Sequence, residues 1–141
     1  MKIKLLLVFF LFLFRSFAQD DPFQINSLFN YNPVKQLFFW TELDFKIHEN
    51  NEKNKSITFI RKDGVVKIDY SEDESYIENI VMSWFDFDIY NGYLNYCKNN
   101  YTKVVTNDKR VIFKDDKLPC LVEFVISSTD GLPYYQILFY N

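Results

Sequence analysis

Glycine is scarce in this chain, with three among 141 residues, and its scarcity excludes a class of chemistry. Gly64, Gly92 and Gly131 stand far apart, so no glycine-rich loop can wrap backbone N–H groups around a phosphate. Histidine occurs once, at His48, and cysteine twice, at Cys97 and Cys120. Two thiols and one imidazole fall short of a four-ligand zinc site. Any Ser-His-Asp or Cys-His arrangement would have to use His48, which sits in the charged run Lys46-Ile47-His48-Glu49. No serine lies in a nucleophile-elbow setting. No metal and no cofactor is expected. After residue 18 there is no alanine, and arginine occurs only at Arg61 and Arg110. Phe, Tyr, Ile, Asn and Lys, which have A/T-rich codons, are abundant instead. The high aromatic content therefore reads first as coding bias and only second as a ligand platform.

Long apolar runs are also lacking, with one exception at the start. Lys2 and Lys4 precede Leu5–Phe14, ten apolar residues without a break, and Arg15-Ser16-Phe17-Ala18 follows. This order of positive start, apolar stretch and small residues before a cut is that of a secretory signal peptide. Ten helical residues reach about 15 Å, half the roughly 30 Å of a bilayer's hydrocarbon core. Cleavage between Ala18 and Gln19 is expected, leaving a single exported domain over 19–141 with no membrane association. The expected location is secreted or periplasmic. Cleavage removes Lys2, Lys4 and Arg15 from 16 basic residues, leaving 13 against 19 acids and a net charge of −6. So acidic a chain, whose longest basic run is Lys109-Arg110, lacks the electrostatic footprint for a nucleic-acid backbone.

No internal repeat or linker is visible along the chain. Residues 20–34 read as an irregular lead-in with room for a short helical turn. From Leu37 to His48, apolar Leu37, Phe39, Leu43, Phe45 and Ile47 alternate with Phe38, Trp40, Glu42, Asp44, Lys46 and His48, which reads as a half-buried strand. Ser56–Arg61 and Val65–Tyr70 are β-rich runs flanking Lys62-Asp63-Gly64, a hairpin signal. Ser71-Glu72-Asp73-Glu74 has the form of a capping box. Ile77, Ile80, Val81 and Trp84, then Ile89, Tyr93 and Cys97, follow at helical spacing. A helix over 73–99 is expected, with a possible break near 86–88. Thr102–Thr106, Arg110–Lys114, Cys120–Ser127 and Tyr134–Tyr140 return to strand patterns, the last two joined through Asp130-Gly131. The expected fold class is α+β. Six to seven antiparallel strands, three before the central helix and four after, would carry that helix on one face.

Four groups of residues are candidates for function. In an oxidising compartment Cys97 and Cys120 are expected to form a disulfide, worth about 3 kcal/mol for a loop of this size. Phe38 and Trp40 share a face with Glu42 and Asp44, where exposed aromatics would suit a protein or glycan partner. The tyrosine-rich last hairpin offers a second such surface. Asp86 and Asp88, framed by Trp84, Phe85, Phe87 and Ile89, are the best carboxylate pair for acid–base work, with helix capping as their structural alternative. Together these suggest an exported, non-catalytic binding domain of unknown ligand. The alternatives are a small carboxylate enzyme built on Asp86 and Asp88, or an acidic inhibitor or immunity-type protein masking a basic partner.

Overall fold

The computed structural model describes residues 23–107, 109–116 and 118–140. The leader and the Ala18–Gln19 cut lie outside the described residues. The fold is α+β: one antiparallel sheet of eight strands with helices on one face. A helical turn, α1 (Ile25–Leu28), and a helix, α2 (Pro33–Glu42), come first. Four strands follow: β1 (Lys46–Asn51), β2 (Ser56–Arg61), β3 (Gly64–Tyr70) and β4 (Ile77–Trp84). The helix α3 (Phe87–Asn100) then leads into β5 (Thr102–Thr106), β6 (Arg110–Lys114), β7 (Leu121–Thr129) and β8 (Leu132–Tyr140). The spatial order is β1-β2-β3-β4-β8-β7-β6-β5. Four strands therefore precede α3 and four follow it, one more than the sequence pattern shows.

Two segments differ from expectation, and each has a local cause. Residues 33–42 are a helix, where alternation suggests a strand. Asn32 caps the helix by accepting from the Lys35 N–H at 2.9 Å, and Pro33 fills the first turn, where a missing N–H costs nothing. The run Leu37–Trp40 is apolar throughout, so it satisfies either period, and the cap decides. Residues 77–84 form a strand where Ile77 and Ile80 suggest a helix. A bulge against β3 makes Tyr70 face Ile77 while Asp69 faces Asn79. The irregularity puts Ile77 and Ile80 on one face at a spacing of three, after which Ile80, Met82 and Trp84 alternate as strand residues do.

The presumed capping residues before β4 close a turn instead. Ser71 Oγ donates to Asp73 Oδ1 at 2.7 Å and accepts from the Ser75 N–H at 3.1 Å. Asp73 Oδ1 also accepts from Ser75 Oγ at 2.7 Å and from its N–H at 3.1 Å. These bonds, chiefly from the Ser75 side chain and then from Ser71, lower the Asp73 carboxyl from 3.8 to about 2. A depressed folded-state value means the turn stabilises the fold above about pH 4 and loses that contribution as pH falls toward 2. Asp73→Asn is expected to flatten the acid limb of melting temperature against pH over that window. An unchanged slope would remove Asp73 from the acid response.

The two halves repeat one plan, a helix followed by a four-stranded meander. β1 bulges between Ile47 and Glu49, and β5 bulges between Lys103 and Val105. Phe59 faces Val66 as Phe113 faces Val122, and Ile68 faces Ile80 as Phe124 faces Ile137. At the centre Val81 faces Leu138, and the flanking pairs are reciprocal, Ile80 with Phe139 and Met82 with Ile137. The matched pairs and bulges relate the two halves by an approximate two-fold axis through the Val81–Leu138 pair. The chain thus contains an internal repeat in register and burial, although its sequence shows none. The halves share apolar phase and hardly any residues.

The core lies between the sheet's inner face and the helices. Trp40 of α2 stacks edge-on against Phe45 and lies over Phe59, while Tyr93 of α3 lies over Phe124 and Phe139. Burying each such side chain contributes about 1.5–3 kcal/mol. Gln36, fully buried, ties the first two helices together. Its amide donates to the Leu28 carbonyl at 2.7 Å and accepts from Trp40 Nε1–H at 2.9 Å.

Candidate functional site

Trp40 is 1% exposed and belongs to the core, whereas Phe38 is 67% exposed on the opposite side of α2. The expected Phe38/Trp40 surface is therefore split, because helical spacing turns residues two apart away from each other. Phe38 keeps a shallow cleft of about 280 Å³ with Tyr31, Lys35, Phe39 and Glu42.

The expected Cys97–Cys120 disulfide is not formed; each thiol instead fills an apolar position of the core cluster. Cys97 lies on the buried face of α3 with Tyr90 and Tyr93, and Cys120 directly precedes β7. Asp86 and Asp88 are both exposed, and they are committed to the start of α3. Asp86 is its N-cap, accepting from the Asp88 N–H at 2.8 Å. His48 is exposed within the β1 bulge. Among the described residues, no group of three or more His, Cys, Asp or Glu side chains is placed to hold a metal ion. No helix among them is long and apolar enough to cross a membrane.

The last hairpin supplies the clearest exposed surface. β8 pairs with β4 only as far as Tyr135 opposite Trp84, and β7 with β6 only as far as Val125 opposite Arg110. The β7–β8 ladder continues past both neighbours to Thr129 opposite Leu132. A two-residue turn closes it, with Asp130 at φ 52° and Gly131 at φ 78°, the left-handed geometry of a tight hairpin. Along this projection, from the Thr129-Asp130 turn to Phe85, lies a groove of about 520 Å³, also lined by Val65, Ser83, Leu132 and Tyr134. Leu132 is 73% exposed and Phe85 61%.

Phe85 is held in place from below. Its N–H donates to the Asp63 carbonyl at 3.0 Å. Asp63 in turn receives a two-pronged bond from Arg61, Nε to Oδ1 at 2.6 Å and the second nitrogen to Oδ2 at 2.9 Å. That bond holds the Asp63 carboxyl below its ordinary value. The same guanidinium donates to the Leu43 carbonyl and lies over Phe45, 4.5 Å from its ring centre, and over Trp84. Arg61 thus braces the hairpin turn, the core and the groove's aromatic wall. Gly64 fits the same place for reasons of space. The hairpin turn is Lys62-Asp63, and Gly64 opens β3 opposite Trp84, where a Cβ would stand 2.6 Å from the indole.

No known family model, curated protein or solved structure matches this chain. Its function is therefore read from its own geometry.

Two edges of the sheet are unsuited to a partner strand. β1 and β5 each carry a bulge, a device that interrupts edge pairing. Pro133 on the projecting hairpin has no backbone N–H to offer. The outer sheet face is mixed in character, with half-buried Val81 and Leu138 beside a polar group. There Glu123, buried, accepts from Arg110 at 2.8 Å and from Tyr140 Oη at 2.7 Å.

Proposed function

We propose that this chain is an exported, non-catalytic binding domain that docks an apolar or aromatic side chain of a protein partner in the groove between Phe85 and Leu132. The observation that carries this reading is two large apolar side chains held mostly in solvent across one groove, with Phe85 fixed by the Arg61–Asp63 brace. Exposed apolar residues grouped in this way have a cost in water that a partner would relieve. Export follows from the leader and suits a surface made for an extracellular or periplasmic protein.

Selection of random peptides on the immobilised chain tests the reading. The expected peptides carry Phe, Trp or Leu anchors and lose about tenfold or more in affinity for Phe85→Ser/Leu132→Ser. Both positions are exposed, so the double variant should fold as the parent does. Peptides that bind the double variant equally well would place the binding surface elsewhere.

A further inference from the structure

The helices lie on the sheet's inner face, and among the described residues no layer covers the outer one. Register decides what that outer face presents. Val81 and Leu138 stand directly opposite each other at its centre. Val65, opposite Ser83, and Val125, opposite Gln136, are their diagonal neighbours, and Ile60 lies beside Val65. An apolar band thus crosses β2, β3, β4, β8 and β7, and it runs into the hairpin groove, which Val65 and Ser83 also line. The charges flanking the band are neutralised within the face, where Lys67 pairs with Asp69 and Arg110 with Glu123, both at 2.8 Å. The other charges that register places on this side, Lys46, Glu49 and Lys114, nearly cancel. The chain itself carries −3 and becomes more acidic without its leader. Two copies therefore meet here with little of the like-charge repulsion that their acidity imposes elsewhere.

The size and the symmetry of the face point the same way. In plan, its six central strands offer roughly 570 Å² at the usual strand spacing and rise, and the hairpin's extension adds about 120 Å². Together these approach the roughly 800 Å² that each partner gives to a stable interface. A two-fold axis lying along β4 and β8 at the Val81–Leu138 pair stacks two copies sheet on sheet, about 10 Å apart. Such an axis exchanges the two sides of the sheet. It carries each copy's hairpin, which projects on the β8–β7 side, over the partner's β4–β3 side, where Val65, Ser83 and Phe85 lie. Leu132 is in phase with Gln136, which bonds Ser83 on the outer face, so this 73% exposed side chain points at the partner's groove. Building on the groove as a docking site for an apolar side chain, we propose that its occupant is a second copy of this chain. The copies pack outer face to outer face, with Leu132 of each seated against Phe85 of the other.

Sedimentation of the exported chain, residues 19–141, from about 0.5 to 200 μM tests this. A dissociation constant of about 10 μM is expected, the weak end for an interface of this size. The most dilute chain is then monomeric with its groove open, and the most concentrated is dimeric. Leu132→Asp, at an exposed position, and Val81→Lys, at the centre of the band, should each weaken self-association tenfold or more. Leu132→Asp should melt as the parent does in dilute solution, so it decides the matter even where Val81→Lys folds poorly. An excess of a selected groove peptide should dissociate the dimer. A chain that stays monomeric at every concentration while selected peptides still bind the groove overturns the second copy and leaves the groove reading intact. A dimer indifferent to Leu132→Asp and to the peptide also overturns it, because the contact then lies elsewhere. Selected peptides that ignore Phe85→Ser/Leu132→Ser overturn both.

Discussion

Replacing Gln36 by leucine should cost this domain about 1–3 kcal/mol, a large effect for a near-isosteric change. Gln36 is fully buried; its bond to the Leu28 carbonyl ties α1 to α2, and its bond with the Trp40 indole lies within α2. Leucine fills the same space while stripping the Trp40 indole of its acceptor; the Leu28 carbonyl loses the Gln36 amide but keeps the Tyr31 N–H at 3.1 Å. Each buried group left without a partner costs about 1–3 kcal/mol, against a typical total stability of about 5–15 kcal/mol. Urea unfolding of Gln36→Leu, Trp40→Phe and the double variant forms the cycle that checks this. The loss from Gln36→Leu should be smaller in the Trp40→Phe background, where no indole N–H is left to orphan. Equal losses in the two backgrounds would mean that the Gln36–Trp40 bond carries no stability.

The second large effect is expected from a single methyl group. Gly64→Ala places a Cβ 2.6 Å from Trp84 Cε3, closer than real Cβ atoms sit, and 3.0 Å from the Ser83 carbonyl oxygen, a tight contact. The indole has little freedom to yield, because Phe45 packs edge-on against it, Phe23 stacks on it and the Arg61 guanidinium covers it. Overpacking of this kind costs about 1–3 kcal/mol. Since Trp84 directly precedes Phe85, the same substitution should also weaken peptide binding at the groove. Trp84→Leu, which frees the space, is expected to erase most of the additional cost of Gly64→Ala. A Gly64→Ala variant as stable as the parent would show that the indole moves freely.

What was legible in the sequence, and what was not, follows from how each element is specified. β2, β3 and the four strands after α3 are β-rich runs bounded by turn residues, so their places are readable from the sequence. α3 was legible in its second half, from Ile89 through Cys97, and only its start was misplaced, because Asp86 rather than Ser71 is the cap. The errors at 37–42 and 77–84 share a cause: burial there is set by one local event rather than by a period. In the first case the event is the Asn32-Pro33 cap, a signal present in the sequence. In the second it is a bulge that only a partner strand can impose. The internal repeat was hidden for a related reason, since register and apolar phase recur while residue identities do not.

The candidate sites divide along the same line. The Phe38/Trp40 surface depended on a strand that is a helix, and it disappeared with that strand. The last hairpin depended on Asp130-Gly131 and the alternation beside it, both of which are local, and it stands exposed. Phe85 was visible only as a frame around Asp86. Its role at the groove comes from the Arg61–Asp63 brace, which joins a turn, a loop and a strand end that are distant in sequence.

The central claim is that the binding surface lies at the hairpin groove and not on the residues around Trp40. Oxidative footprinting of the chain, read by mass spectrometry with and without a selected peptide, tests it most directly. The account predicts that Trp40 and Trp84 stay protected in both states, while Phe85 and Leu132 are labelled in the free chain and protected when the peptide is bound. Labelling of Trp40 at a rate like that of Phe38, or Phe85 and Leu132 labelled equally with and without bound peptide, would contradict it.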